Sequence, residues 1–353
     1  MAFSFPQPTS LAGYLWRGVL GGPAWVYGAG VRVRAAAYDR GWIETVRVPV
    51  PVFCLGNLTV GGSGKTPGVL WLVGLLQRLG HQPVVVSRGY GRRATGTSLI
   101  PNRGEPLPAV EQMGDEPRLI ARRTGVPLAV GADRALAGER AFDEFRPDCL
   151  VMDDGFQHHR IYRDRDWLCF DARRAYETWV ENQPAPLLPA GPWREPLGAM
   201  DRAHGIFITR AERLSLPQRD ALANRFQNRG IRFSFVESRV TVSPPDGFSA
   251  PLQATGPHRW LALSALGDPA SFEESLARDG SDVAAIRYRD HHVFSQRETA
   301  RAFERAERER RLVIVTEKDQ ERFPPGFSPW VARLDWHVVK EEMWASEIES
   351  VFS

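Results

Sequence analysis

Short apolar runs alternate with longer amphipathic stretches along this chain. VPVPVFCLG (48–56) is continuously apolar, the pattern of a strand buried on both faces. A loop follows, then helical spacing over 67–79 that Gly80 stops. PVVVS (83–87), PLAV (127–130), CLVMDD (149–154), DWLCFD (166–171) and GIFIT (205–209) repeat the apolar signal, with helical stretches over 133–145 and 217–229 among them. Strands and helices in turn predict a parallel α/β sheet.

Beyond residue 230 the pattern changes. RFSFVES (232–238) and VTV (240–242) alternate apolar with polar residues, as two exposed strands would. SPPDGFSAPLQATGPH (243–258) is rich in Pro, Gly and Ser and reads as a loop. A second α/β block follows: WLALSAL (260–266), a helix from Pro269, AAIRYRD (284–290), a helix over 296–310, LVIVT (312–316) and a last helix near Lys340. The expected organisation is an N-terminal region 1–40, a sheet domain 41–230, a linker of strands 231–257, and a smaller C-terminal α/β domain 258–353.

The first forty residues stand apart. Thr9 or Ser10 can cap a helix with Leu11, Tyr14, Leu15 and Val19 at helical spacing, which Pro23 breaks or restarts. Two readings stay open. One is a helix pair packed on the core. The other is an interfacial helix, with Trp16, Trp25 and Tyr27 at the headgroup level and Arg17, Arg32, Arg34 and Arg40 meeting anionic lipid.

Composition excludes several classes. With 353 residues, 43% hydrophobic and 25% charged, the chain is an ordinary globular one rather than disordered or fibrous. Net charge of +3 is too weak a bias to argue for a nucleic-acid partner, and none is expected. Cys54, Cys149 and Cys169 lie far apart in apolar runs without a CxxC pair, so buried thiols are expected rather than disulfides or a zinc knuckle. No uncharged apolar run reaches the ~18 residues of a membrane span. The start lacks a basic n-region and a clear cleavage site, so secretion is not expected.

CLGNLTVGGSGKTP (54–67) carries the strongest chemistry, set between an apolar strand and a helix. Gly61, Gly62 and Gly64 lack Cβ atoms, so Thr59, Val60, Gly61, Gly62, Ser63 and Gly64 can wrap backbone N–H groups around phosphate oxygens. The helix start adds free donors and the positive end of its dipole. Lys65 would reach the β- and γ-phosphates, and Thr66 would offer its hydroxyl to Mg²⁺. Thr59 stands where the general pattern has glycine. CLVMDDGFQHH supplies Asp153 and Asp154 at a buried strand's end, where a carboxylate can hold Mg²⁺ directly or through water. Neighbours along a strand point oppositely, so one acid can bind metal while the other orients a neighbour. His158 and His159 have no zinc-like spacing and read as solvated or supporting residues.

A phosphate loop identifies the nucleotide but not the acceptor. On the loop alone, a nucleotide-dependent switch competes with a kinase, and the acceptor discriminates between them. Eight strings in one order settle on a resemblance: GNLTVGGSGKTP, SRGYGR (87–92), GDEP (114–117), VGADR (130–134), DDGFQHH, LLPAGPWREP (187–196), RDHH (289–292) and TEKD (316–319). From about residue 10 to the C-terminal region, the chain resembles the tetraacyldisaccharide 4′-kinase family, of which Thr59 in the loop is the usual form. The resemblance implies a P-loop NTPase-like parallel sheet domain with a smaller C-terminal α/β domain joined by a two-stranded linker. It implies ATP and Mg²⁺ as cofactors, and an acylated glucosamine disaccharide 1-phosphate as acceptor of the γ-phosphate at its 4′-hydroxyl. It also implies peripheral attachment to the cytoplasmic face of the inner membrane through the N-terminal region; a monomer is expected.

Residue by residue, Asp115 matches the family's base and His291 its histidine partner. Lys65 joins them in the catalytic set. Because the two lie in different expected domains, the pair would form when those domains close. Glu116 and Glu195 are candidates beside Thr66, Asp153 and Asp154 for the metal shell, and Arg194 for phosphate neutralisation. Arg88, Arg92 and Arg93 are either acceptor-phosphate contacts or a solvated basic turn.

Overall fold

A computed structural model describes residues 11–102, 104, 106–245 and 257–353. The capping positions Thr9 and Ser10 lie outside them. Among the described residues twelve strands form one sheet: β1 (Val52–Gly56), β2 (Pro83–Ser87), β3 (Ser98–Ile100), β4 (Leu128–Val130), β5 (Cys149–Asp153), β6 (Arg165–Asp171), β7 (Gly205–Thr209), β8 (Phe233–Ser243), β9 (Arg259–Ser264), β10 (Asp282–Arg287), β11 (Leu312–Thr316) and β12 (Trp330–Val338). Their order is β10-β9-β11-β12-β8-β7-β6-β1-β5-β2-β4-β3. The pairing is parallel except for β3 with β4 and β8 with β12.

β1 lies between β5 and β6 and every one of its residues is buried, which its uninterrupted apolar sequence requires. Helix Lys65–Arg78 follows and packs seven buried residues on the sheet. Gly68 lets it approach β12, since a Cβ there would stand 2.5 Å from the Trp336 ring. The cysteines Cys54, Cys149 and Cys169 are free and buried, and burial pushes all three thiols above their ordinary range.

The two-stranded joint is built differently from the sequence expectation. Residues 232–238 and 240–242 are not two strands but one, β8, whose first residues pair with β7 and whose length pairs with β12. The second strand of the joint is instead β12, far along the chain, where Ala332, Leu334, Trp336 and Val338 alternate with Arg333, Asp335 and His337 as in a half-exposed strand. The last helix, Glu341–Phe352, then returns to the first half of the sheet. Its Trp344 packs edge-on to Trp167 and 4.3 Å from Phe207, and its indole N–H donates to the Ser234 hydroxyl at 2.8 Å.

Pro23 does not break the N-terminal helix, which runs unbroken over Leu11–Asp39. The carbonyl that loses its partner is that of Val19, on an exposed residue where water can take its place. The helix docks by one face: a Cβ on Gly28 would stand 2.6 Å from Leu187, and the Tyr27 hydroxyl donates to the Arg194 carbonyl at 2.9 Å. No described helix is long and apolar enough to cross a membrane.

Candidate active site

The carboxyl ends of β1, β2, β5 and β7 open on one cavity of about 1100 Å³, which extends between the N-terminal helix and the C-terminal half of the sheet. Val60, Gly61, Gly62, Ser63, Gly64, Lys65 and Thr66 line it. Gly61 and Gly64 take positive φ, 101° and 77°, which lets the loop curl before the helix begins. Asn57 donates to the Ser63 hydroxyl at 2.8 Å, and the Thr209 hydroxyl donates to the Ser63 carbonyl at 3.0 Å, so the loop is held from both sides. No atom lies within 4 Å of where a Cβ on Gly61 would stand, and at Gly62 only the Arg210 guanidinium does. That open glycine face, with Lys65, Arg88, Arg134, Arg194 and Arg210 around it, fits a polyphosphate.

Thr59 is the exception among the expected loop contacts. It is buried, bridges by its backbone to Trp193 and does not line the cavity. The segment 187–196 runs beside the loop there, with the Val60 N–H donating to the Pro192 carbonyl at 2.8 Å. Thr59 thus shapes the loop from behind, as pairing with a neighbouring strap rather than curling round phosphate demands.

The adjacent acids diverge as their strand position requires. Asp153 is buried and accepts the Ser87 hydroxyl at 3.0 Å. Burial, with Glu116 and Asp154 nearby, pushes its carboxyl well above the usual range. Asp154 sits in a left-handed turn at φ 49° and faces Lys65 Nζ at 3.7 Å and Arg194 Nη1 at 3.0 Å. Burial opposes its charge, but Lys65 and Arg194 overcome that and hold its carboxyl below the ordinary value. Glu195 is buried too. One oxygen pairs with Arg202 at 3.0 Å and the other has no hydrogen-bond partner, leaving an unsatisfied acceptor in the cavity wall. Oxygen donors of this kind suit Mg²⁺, which takes few protein ligands and keeps water and phosphate for the rest.

Glu116, His291 and Lys318 also line the cavity, and Asp115, buried behind them and not itself a lining residue, begins helix Asp115–Thr124. The Glu116 N–H donates to its Oδ1 at 2.9 Å, and His291 Nδ1 lies 3.0 Å from its Oδ2. Lys318 Nζ and Arg322 Nη1 stand 3.8 and 3.7 Å from the same oxygen. Burial works against ionisation, yet the His291 hydrogen bond and the charges of Lys318 and Arg322 bring the Asp115 carboxyl down to about 2. The pair is joined in this structure. The reason lies in the shared sheet and in the ion pairs that tie helix Asp115–Thr124 to residues 317–321: Arg118 and Arg122 to Glu321, Arg123 to Glu317, and Glu116 to Lys318.

Of the basic turn after β2, Arg88 lines the cavity, whereas Arg92 turns to Ser98 and the Gly96 carbonyl and Arg93 is exposed. His158 and His159 line the cavity half-buried. Burial and nearby arginines lower them to about 4 and about 3, so both are neutral donors or acceptors there. Sequence reasoning missed Arg134 and Arg210. Asp133 caps helix Arg134–Phe145 and thereby aims the buried Arg134 at the cavity. Arg210 follows directly on β7, the position from which a side chain reaches over the loop, and it pairs with Asp171 and Asp268 at 3.1 and 3.3 Å. Its place just past a buried strand was the signal.

A parallel sheet with a glycine loop, a lysine at the helix start and an Asp–His pair beside the same cavity are the parts of a phosphate-loop phosphotransferase. The sequence model of the family described as Tetraacyldisaccharide-1-P 4'-kinase matches residues 18–353. The chain belongs to that family. A tetraacyldisaccharide 4'-kinase of Halorhodospira halophila is 37% identical over 295 residues, 83% of this chain and 80% of that relative. One of Xanthomonas axonopodis pv. citri is 38% identical over 311 residues, 87% and 84% of the two chains. Among solved structures, LpxK from Aquifex aeolicus, crystallised in complex with ATP, superposes with a TM-score of 0.74 at 26% identity, covering 96% of this chain and 99% of that one.

Proposed function

We propose that Asp115, His291 and Lys65 carry out the reaction of this kinase family in the present chain: phosphorylation of the 4′-hydroxyl of tetraacyldisaccharide 1-phosphate, a step of lipid A biosynthesis. One observation carries the assignment of roles. His291 lines the same cavity as the GGSGKT loop, and Asp115, buried directly behind it, is hydrogen-bonded to it at 3.0 Å, so the pair stands at the edge of the space before the loop.

ATP supplies the γ-phosphoryl group. The backbone N–H groups of residues 60–64 and the start of helix Lys65–Arg78 would hold its phosphates, with Lys65, Arg194 and Arg210 balancing their charge. Thr66, Asp153, Asp154 and Glu195 are the oxygen donors available to Mg²⁺, with Glu116, whose charge is felt by Asp153, as a further carboxylate. Asp115 accepts the proton of the acceptor hydroxyl at Oδ2, and His291, hydrogen-bonded to that oxygen, fixes the carboxylate's direction. Lys65 and Arg194, paired with Asp154 in this structure, are the cations free to turn toward phosphate.

The N-terminal helix supports a peripheral membrane position. Its docked face holds the 187–194 strap, and Tyr27, Val31 and Arg34 line the cavity. Val19, Trp25, Val26 and Val33 remain 64–77% exposed. Laid on the cytoplasmic face of the inner membrane, that face would bring an acylated substrate beside the cavity mouth. Incubation of the protein with γ-labelled ATP, Mg²⁺ and acylated disaccharide 1-phosphate should give labelled lipid. Slow hydrolysis without labelled lipid would overturn the reading.

A further inference from the structure

Arg322 is almost wholly enclosed, its side chain 1% exposed, and the roles assigned above give it no part. Nη2 donates to the Asp319 carboxylate at 2.7 Å and to the Ala265 carbonyl at 3.1 Å. That same carbonyl accepts the backbone N–H of His291 at 3.2 Å, and the Phe294 N–H donates to the Arg322 carbonyl at 3.3 Å. Nη1 makes no hydrogen bond and faces Asp115 Oδ2 at 3.7 Å. A buried guanidinium nitrogen without a hydrogen bond is unfavourable unless a charge answers it, and Asp115 is the carboxylate it faces.

We propose that Arg322 is the positioning residue of the Asp115–His291 pair, bracing both members at once. It holds the acid through Nη1 and the histidine's loop through Nη2 on the Ala265 carbonyl, the acceptor of the His291 N–H. The loop needs such a brace. His291 has φ 61°, a left-handed conformation that a residue with a Cβ keeps only where its surroundings impose it. Lys318 adds a second cation near the acid, but a flexible ammonium sets charge without direction, whereas the planar guanidinium sets both. The proposal rests on the reading of Asp115 as base.

Four purified variants test it by lipid phosphorylation: Arg322→Met, Arg322→Lys, Asp115→Asn, and Asp115→Asn with Arg322→Met. Arg322→Met should lower kcat roughly 10- to 100-fold, because a small misplacement of the base is costly, and leave KM for ATP within about twofold. Arg322→Lys should recover part of that loss. In the Asp115→Asn background, Arg322→Met should reduce kcat by less than about threefold further, because the two act as one unit. Full multiplication of the two losses, or equal rises in KM for both substrates, would mean a purely structural role and overturn the proposal. So would wild-type kcat for Arg322→Met beside an inactive Asp115→Asn. Wild-type kcat for Asp115→Asn would instead remove the base reading itself. Should Arg322→Met fail to fold, Arg322→Lys decides: reduced kcat at an unchanged melting temperature supports the proposal, and wild-type kcat overturns it.

Discussion

His291 Nδ1 stands 3.0 Å from Asp115 Oδ2, although one residue follows β10 in the C-terminal half of the sheet and the other opens a helix in the N-terminal half. Each half alone presents an incomplete pair. The pairing therefore depends on the joint formed by β8 and β12, which sets the two halves in register over eight residue pairs.

Asp115→Asn keeps the shape of the side chain and removes its basicity, so kcat should fall by about 10²-fold or more while ATP binding persists. The same variant has a pH signature in stability. The carboxyl is held at about 2 in the folded protein, below its ordinary value of 3.8. A depressed folded value means that ionisation stabilises the fold above the unfolded value and that this contribution fades as pH falls from there through about 2. Wild-type protein should thus lose more stability than Asp115→Asn over that acid range in parallel denaturant titrations. Parallel curves would show that the cations around Asp115 contribute nothing to folding.

Lys65→Ala should bind ATP weakly and lose about 10²- to 10³-fold in kcat, since it removes a charge aimed at the transferring group. Its melting temperature without nucleotide should change little: Lys65 pairs with Asp154 at 3.7 Å, and Arg194 still answers that acid at 3.0 Å. Isothermal titration with a nonhydrolysable ATP analogue, beside a thermal melt, separates the two effects.

Gly68 is a packing requirement. A methyl there would meet the Trp336 ring at 2.5 Å, and that ring is confined between Trp71 and Phe207 with centroids at 6.0 and 5.4 Å. Gly68→Ala should destabilise the protein by about 1–3 kcal/mol, the usual range for overpacking. Trp336→Phe withdraws the outer ring atoms, so the double variant should regain part of that loss. Urea titrations of the three proteins check it.

Much of this was legible in the sequence where local pattern and local physics agree. GIFIT and LVIVT occupy β7 and β11 residue for residue, because strands buried on both faces leave uninterrupted apolar runs. The glycine loop was legible because phosphate binding demands particular backbone freedom at fixed spacing. The joint was not: Arg333, Asp335 and His337 alternate with Leu334, Trp336 and Val338 as a half-exposed strand requires, but that β12 pairs with the distant β8 is a contact no local window contains. Arg322 was not either: a charge 1% exposed makes sense only with Asp319, Ala265 and Asp115 around it, contacts that no local window contains. The passage of the first helix through Pro23 was hidden for a related reason, because tertiary docking at Gly28 and Tyr27 outweighs one lost hydrogen bond.

That docking leads to the last prediction. Tyr27 and Gly28 tie the first helix to the strap beside the loop, while Trp25 and Val26, their immediate neighbours, are 72% and 64% exposed. Substituting Trp25, Val26 and Val33 together by Ser would remove apolar surface that the fold itself does not use, so the melting temperature should stay near that of the wild type. Transfer of such side chains into an interface is worth ~25 cal/mol per Å² of apolar area, enough for reversible adhesion and no more. The triple variant should therefore sediment less with anionic phospholipid vesicles and show a higher KM for vesicle-borne lipid acceptor. Its rate on acceptor dispersed in detergent should be unchanged, because the cavity, the glycine loop and the Asp115–His291 pair are untouched. Equal sedimentation of both proteins would rule out this face as the membrane contact.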